Sequence, residues 1–134
     1  MKKFIALPLL IIGFLFQNCM QAGGPQGSSL TVTEFAAKIK ATPKALVIDV
    51  RTPEEFAEGH LANAVNINWN GQDFDEQVAG LDKNEPLFVY CLSGGRSGAA
   101  ASKLRSDGFK QVFEMEGGMM KWRAANLPEE AGAV

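Results

Sequence analysis

Cys91 and Arg96 stand with four residues between them in Cys91-Leu92-Ser93-Gly94-Gly95-Arg96-Ser97. A thiol, a glycine pair and a fixed cation in that order suit a nucleophile that works as an anion. The thiolate is the reactive form of cysteine. Gly94 and Gly95 let the backbone turn tightly, so that successive amides aim at one spot. Arg96 adds a permanent positive charge that favours an anion there. A blander reading also fits these residue types, because an unpaired cysteine at a strand end is commonly a small buried hydrophobe. The flanking elements decide between the two.

Leu87-Phe88-Val89-Tyr90 is the unbroken apolar run of a strand buried in a parallel sheet. Ser97 to Arg105 is alanine-rich and runs toward Gly108, the pattern of a helix with a glycine stop. The thiol therefore sits at a strand-to-helix turn, beside amides that lack carbonyl partners within the helix. Earlier, Thr31-Val32-Thr33-Glu34 has the form of a capping box and predicts a helix to about Lys40, with Phe35 and Ile39 as its apolar stripe. Ala45 to Val50 reads as a strand with Asp49 and Arg51 at its carboxyl end. Thr52-Pro53-Glu54-Glu55 repeats the helix-start chemistry, and Gly59 stops that helix. Ala64 to Asn68 alternates as a short strand, and Asp73 to Val78 suggests a helical turn. Gln111 to Met115 is a further strand, and a last helix carries Met119 and Trp122. Strands alternating with helices predict an α/β fold, a mostly parallel central sheet with helices on both faces. Ligands in such sheets bind beyond the carboxyl ends of the strands, where Cys91 lies.

The whole chain fits one domain of modest core: 134 residues, 46% hydrophobic and 21% charged. A net charge of −2 gives no basic footprint for nucleic acid. One histidine and two cysteines supply no metal set, so neither metal nor cofactor is implied. The first residues read as an export signal, with Met1-Lys2-Lys3 ahead of an apolar run from Phe4 to Phe16. As a helix that run spans about 20 Å, short of a hydrocarbon core of roughly 30 Å. Cys19 closes it in Leu15-Phe16-Gln17-Asn18-Cys19, which resembles a bacterial lipoprotein signal, with Phe16 and Asn18 departing from the usual box. The alternative is ordinary cleavage after Met20-Gln21-Ala22. The organisation expected is a signal peptide over 1–18, a flexible glycine- and serine-rich tether over 19–29 and a folded domain over 30–130. The protein is then exported to the cell envelope, lipid-anchored through Cys19 and facing the periplasm. Lipidation of Cys19 leaves Cys91 as the only other cysteine, without a disulfide partner in an oxidising compartment.

At this point the chain resembles the single-domain rhodanese (sulfurtransferase) family. Ile48-Asp49-Val50-Arg51, with Glu55-Phe56, Gly59-His60-Leu61, Ala64 and Asn66, is similar to that family's first signature. Cys91 to Ser97 is similar to its active-site loop, C-x-x-G-x-R-S. Gly117-Gly118-x-x-x-Trp122 with Leu127-Pro128 is similar to its closing signature. Asn63 departs from the glycine common there, yet asparagine also tolerates a left-handed backbone. The resemblance implies a rhodanese-like fold and a sulfurtransferase in which Cys91 carries a persulfide. The amides of Leu92, Ser93, Gly94, Gly95, Arg96 and Ser97 then cradle the sulfur. A small anionic donor such as thiosulfate gives it, a thiol or cyanide accepts it, and the domain acts as a monomer. Asp49 and Arg51 are supporting residues, read as an ion pair that shapes the sheet end, while His60 and Trp122 are structural.

Two rival readings remain. Phosphatases and arsenate reductases of related architecture use C-x5-R, one residue longer than this loop. Rhodanese-like binding modules without activity often lose the cysteine, which is kept here. For the amino terminus, the expected outcome is a mature protein that begins at Cys19 and carries lipid mass there. Cys19→Ala should release the domain from membranes, as fractionation would show. A mature chain that begins elsewhere without lipid contradicts the assignment.

Overall fold

The computed structural model describes residues 28–132, so the signal, Cys19 and most of the tether lie outside the described residues. In chain order the elements are β1 (Ser29–Leu30), α1 (Val32–Ala41), β2 (Leu46–Asp49), α2 (Pro53–Glu58), β3 (Val65–Asn66), α3 (Phe74–Ala79), β4 (Leu87–Tyr90), α4 (Gly95–Ser106), β5 (Val112–Met115) and α5 (Gly118–Ala124). The strands form one sheet in the order β1-β5-β4-β2-β3, and every pairing is parallel.

β4 lies at the centre, and all four of its residues are fully buried because helices cover both faces. Successive side chains of a strand point to opposite faces, so the sheet feeds two cores. Leu87 and Val89 join Ile48, Val112 and the α3–α4 residues Phe74, Val78, Ala100, Ala101 and Leu104. Phe88 and Tyr90 join Val47 and Met115, with Phe35, Phe56, Met119 and Trp122 from α1, α2 and α5. Phe88 meets Phe35 edge-on at 5.4 Å and stacks on Phe113 at 5.0 Å.

Local chemistry sets the helix starts. Thr31 and Thr52 both form complete capping boxes, with Glu34 and Glu55 as the reciprocating residues. Asn63 is left-handed at φ 61° in the turn that the Ala64 amide closes on the Leu61 carbonyl. Two elements differ from the sequence expectation. Ser29, the last residue assigned to the tether, is in strand β1 with Leu30, paired with Glu114 and Met115. A two-residue strand carries no periodicity to read. α4 begins at Gly95 rather than Ser97, because Gly94 at φ 112° is its left-handed cap.

At the carboxyl end of β2, Arg51 and Asp49 form a fully buried ion pair. The Asp49 carboxylate accepts Arg51 Nε at 3.0 Å and Nη2 at 2.6 Å, and Arg51 Nη2 also donates to the Gly59 carbonyl at 2.6 Å. Asn66 Nδ2 donates to the Asp49 and Arg51 carbonyls, so the pair ties β2, β3 and the end of α2 together. Tyr90 reaches the same cluster, its hydroxyl accepting the Leu61 amide at 3.1 Å. Burial, with Asp49 alongside, pushes the Tyr90 phenol far above its ordinary value, so it stays protonated. Removing one member of a buried pair leaves an uncompensated charge and costs about 3–5 kcal/mol. Asp49→Ala should therefore lower unfolding stability by that amount in urea titration; a loss below about 1 kcal/mol, the range of exposed pairs, contradicts this role.

Candidate active site

Cys91 follows β4 directly and is 1% exposed, a thiol in the bottom of a turn rather than on a surface. Burying sulfur that must ionise is costly unless donors face it. The loop supplies them. The Gly94 amide donates to Cys91 Sγ at 3.1 Å, and the Ser97 hydroxyl lies 3.3 Å from the same sulfur. Burial pushes the thiol up, but the Ser97 hydroxyl and the amides of Ser97, Gly94 and Ser93 outweigh it and hold Cys91 below the ordinary thiol value. The Ser97 hydroxyl can also donate to the Gly94 carbonyl, 3.3 Å away, and its rotation toward sulfur supplies a donor when the thiol ionises. Gly95 and Arg96 open α4, so their amides have no acceptor within the helix.

Amides that turn inward require carbonyls that turn outward, and those carbonyls need partners of their own. The first turn of α5 provides them. Met119 donates its amide to the Cys91 carbonyl at 2.9 Å, and Met120 donates to the Leu92 carbonyl at 3.0 Å. The contact is close enough that only glycine fits at Gly118, whose φ is 54°. A Cβ there would overlap the Cys91 carbonyl oxygen and the Leu92 carbonyl group. The Gly117-Gly118 pair is thus part of the thiol site, although it lies far from Cys91 in the chain.

Arg96 takes a different position from the one its sequence place suggested. Its guanidinium is not among the groups bonded to sulfur. It forms a two-pronged ion pair with Glu55, Nη1 to Oε1 at 2.7 Å and Nη2 to Oε2 at 3.0 Å. Sequence reasoning spent Glu55 on the α2 capping box and missed this second role. The Arg96 hydrogen bonds hold the Glu55 carboxyl down at about 2, despite partial burial that opposes this, with the Thr52 amide helping. Leu92 packs its side chain against the second core. Asp49 and Arg51 bond to each other and to nearby backbone, and no bond runs from their side chains to the Cys91 loop. His60 is buried, stacked on Phe56 at 3.8 Å with Nδ1 2.8 Å from the Phe56 carbonyl, which makes it a packing residue. Trp122 is buried and donates Nε1 to the Pro128 carbonyl at 3.0 Å. Among the described residues there is no cluster of three or more His, Cys, Asp or Glu fit for a metal ion.

The rhodanese-like domain model matches residues 31–125. The chain belongs to the rhodanese-like family. The match takes in the Asp49 signature, the Cys91 loop and the closing signature from Gly117 to Trp122, and it ends before Leu127-Pro128. The thiosulfate sulfurtransferase GlpE of Pseudomonas putida is 34% identical over 99 residues, which span 73% of this chain and 87% of that one. The uncharacterised Bacillus subtilis protein YqhL is 36% identical over 94 residues, 70% of this chain and 71% of its own. Among solved structures, a rhodanese-related protein from Thermoplasma volcanium superposes with a TM-score of 0.68 at 29% identity, covering 77% of this chain and 97% of its own. A rhodanese-like domain protein from Staphylococcus aureus gives a TM-score of 0.64 at 30% identity, covering 71% of this chain and 90% of its own. This rhodanese-like domain thus combines a family fold with a thiol poised to ionise.

Two variants test the cradle through the rate of Cys91 alkylation by iodoacetamide near neutral pH. Ser97→Ala removes a donor to charged sulfur and should slow alkylation about tenfold. Met120→Pro removes the amide that holds the Leu92 carbonyl, at a first-turn position of α5 whose side chain is 60% exposed. It should also slow the reaction. Rates equal to wild type in both would mean that the loop donors do not govern the thiol.

Proposed function

We propose that this domain is a sulfurtransferase that carries a sulfane sulfur on Cys91. The observation that supports it best is a buried thiol faced by the Gly94 amide and the Ser97 hydroxyl, donors that hold it below its ordinary pKa. A nucleophile already favoured as an anion needs no neighbouring base, and none is bonded to it. The kinship with proteins named as thiosulfate sulfurtransferases supports the same reading.

In the first half-reaction the Cys91 thiolate attacks the outer sulfur of thiosulfate. A sulfur–sulfur bond forms as the donor's own sulfur–sulfur bond breaks, and sulfite leaves with the bonding pair. Cys91 persulfide remains, its outer sulfur anionic and facing the loop amides. In the second, cyanide carbon or a thiolate attacks that outer sulfur, and the electron pair returns to Cys91. With cyanide the product is thiocyanate, and no proton is gained or lost across the cycle. Amides aimed at one anionic atom stabilise the persulfide and the thiolate alike. A persulfide adds one atom to the pocket, whereas a phosphoryl group brings three oxygens that each want a donor, which disfavours phosphate chemistry in this shorter loop. The domain would perform this reaction at the envelope, tethered through Cys19.

Thiosulfate is expected to add one sulfur, about 32 Da, to Cys91, and cyanide to remove it as thiocyanate in a two-step cycle. Cys91→Ser should abolish both, as intact-mass measurement and thiocyanate assay would show. Undiminished turnover in that variant would overturn the proposal, as would efficient hydrolysis of aryl phosphates by the unmodified protein.

A further inference from the structure

The ion pair between Glu55 and Arg96 is the feature of the site that sulfur transfer does not by itself require. Arg96 is the cation of the Cys91 loop, and its charge is felt at the Cys91 sulfur. Both nitrogens at its tip are already occupied by one carboxylate. Glu55 is in turn fixed from behind, because Oε1 also accepts the Thr52 amide and the Thr52 hydroxyl of the α2 capping box. The pair is only partly exposed, 26% for Arg96 and 27% for Glu55, so solvent does not easily take the place of either partner. An anion that approaches Cys91 therefore meets a cation whose charge is already balanced and whose Nη1 and Nη2 each already give an N–H to Glu55.

We propose that Glu55 sets the charge specificity of the Cys91 pocket by withholding Arg96 from anionic donors. The pocket then disfavours a dianion such as thiosulfate relative to sulfane donors of lower charge. This rests on the Cys91 reading above and refines its substrate class. Thiosulfate must either dislodge a two-pronged, pre-positioned carboxylate or settle for the remaining N–H groups of a cation that Glu55 already neutralises, whereas a weakly charged donor has neither cost. The capping box and the specificity element share one side chain, so the start of α2 positions the rim of a pocket on α4.

The experiment compares Cys91 alkylation by iodoacetate, an anion, with that by neutral iodoacetamide. Both reagents meet the same thiolate, so the ratio of their rates cancels changes in thiol pKa and reports charge at the pocket mouth. Glu55→Gln keeps a side chain that completes a capping box but removes the charge. The ratio of iodoacetate to iodoacetamide rates should rise about three- to fivefold at low salt, and the gain should shrink in high salt. Arg96→Ala, which leaves Glu55 without its partner, should lower the ratio below wild type. In parallel, Glu55→Gln should lower the thiosulfate KM. A ratio that falls or stays constant in Glu55→Gln, or one that does not fall in Arg96→Ala, overturns the inference. Because alkylation needs no turnover, a shifted ratio without any sulfur transfer would defeat the sulfurtransferase reading alone, and transfer with an unshifted ratio would defeat this one alone.

Discussion

A sulfur atom buried at the end of the central strand can become an anion only if backbone amides face it. That single requirement organises the molecule. Each amide is fixed to a carbonyl on the other side of the same peptide plane, so a loop that turns its amides inward must hand its carbonyls to something outside. α4 satisfies the first half by contributing unpartnered amides from its opening turn. α5 satisfies the second by spending its own unpartnered amides on the Cys91 and Leu92 carbonyls. Two helix starts meet at one loop: the carbonyls of the loop take up the free amides of α5, while α4 opens at the sulfur.

The sheet serves the same end. β4 is buried on both faces, which fixes where Cys91 emerges, and the Asp49–Arg51 pair beside Tyr90 locks the neighbouring strand ends. Asp49 and Arg51 are legible in the sequence as supporting residues, an ion pair at the sheet end, and the two side chains pair there. Their bonds run to each other and to backbone amides and carbonyls, so their contribution is the geometry of the sheet end. His60 is similar: its ring is sandwiched on Phe56 while its backbone pairs with Glu130.

What was legible in the sequence was local. The thiol loop, the buried run of β4 and both capping boxes are specified by residues within one turn of each other, and each forms where the pattern places it. The unread parts depend on contacts between distant residues. β1 exists because Ser29 and Leu30 find the edge of β5. Glu55 already had a complete explanation as a capping residue, so nothing in its spacing pointed to Arg96, 41 residues later. Gly118 could be read as part of a closing motif, but its reason, the carbonyls of Cys91 and Leu92 pressed against it, needs the fold. Arg96 itself illustrates the difference most clearly: its type suggested a cation offered to the sulfur, and its geometry shows a cation held by a carboxylate.

The central claim is that loop donors overcome burial and make Cys91 an anion more readily than an ordinary thiol. It is tested most directly by titrating the thiolate absorbance of the native protein, with Cys91→Ser as the blank. The account predicts a midpoint below 9, the ordinary thiol value from which burial alone would raise it. A midpoint at or above that value would mean that desolvation wins, and that the turn around Cys91 is a fold element without a poised nucleophile.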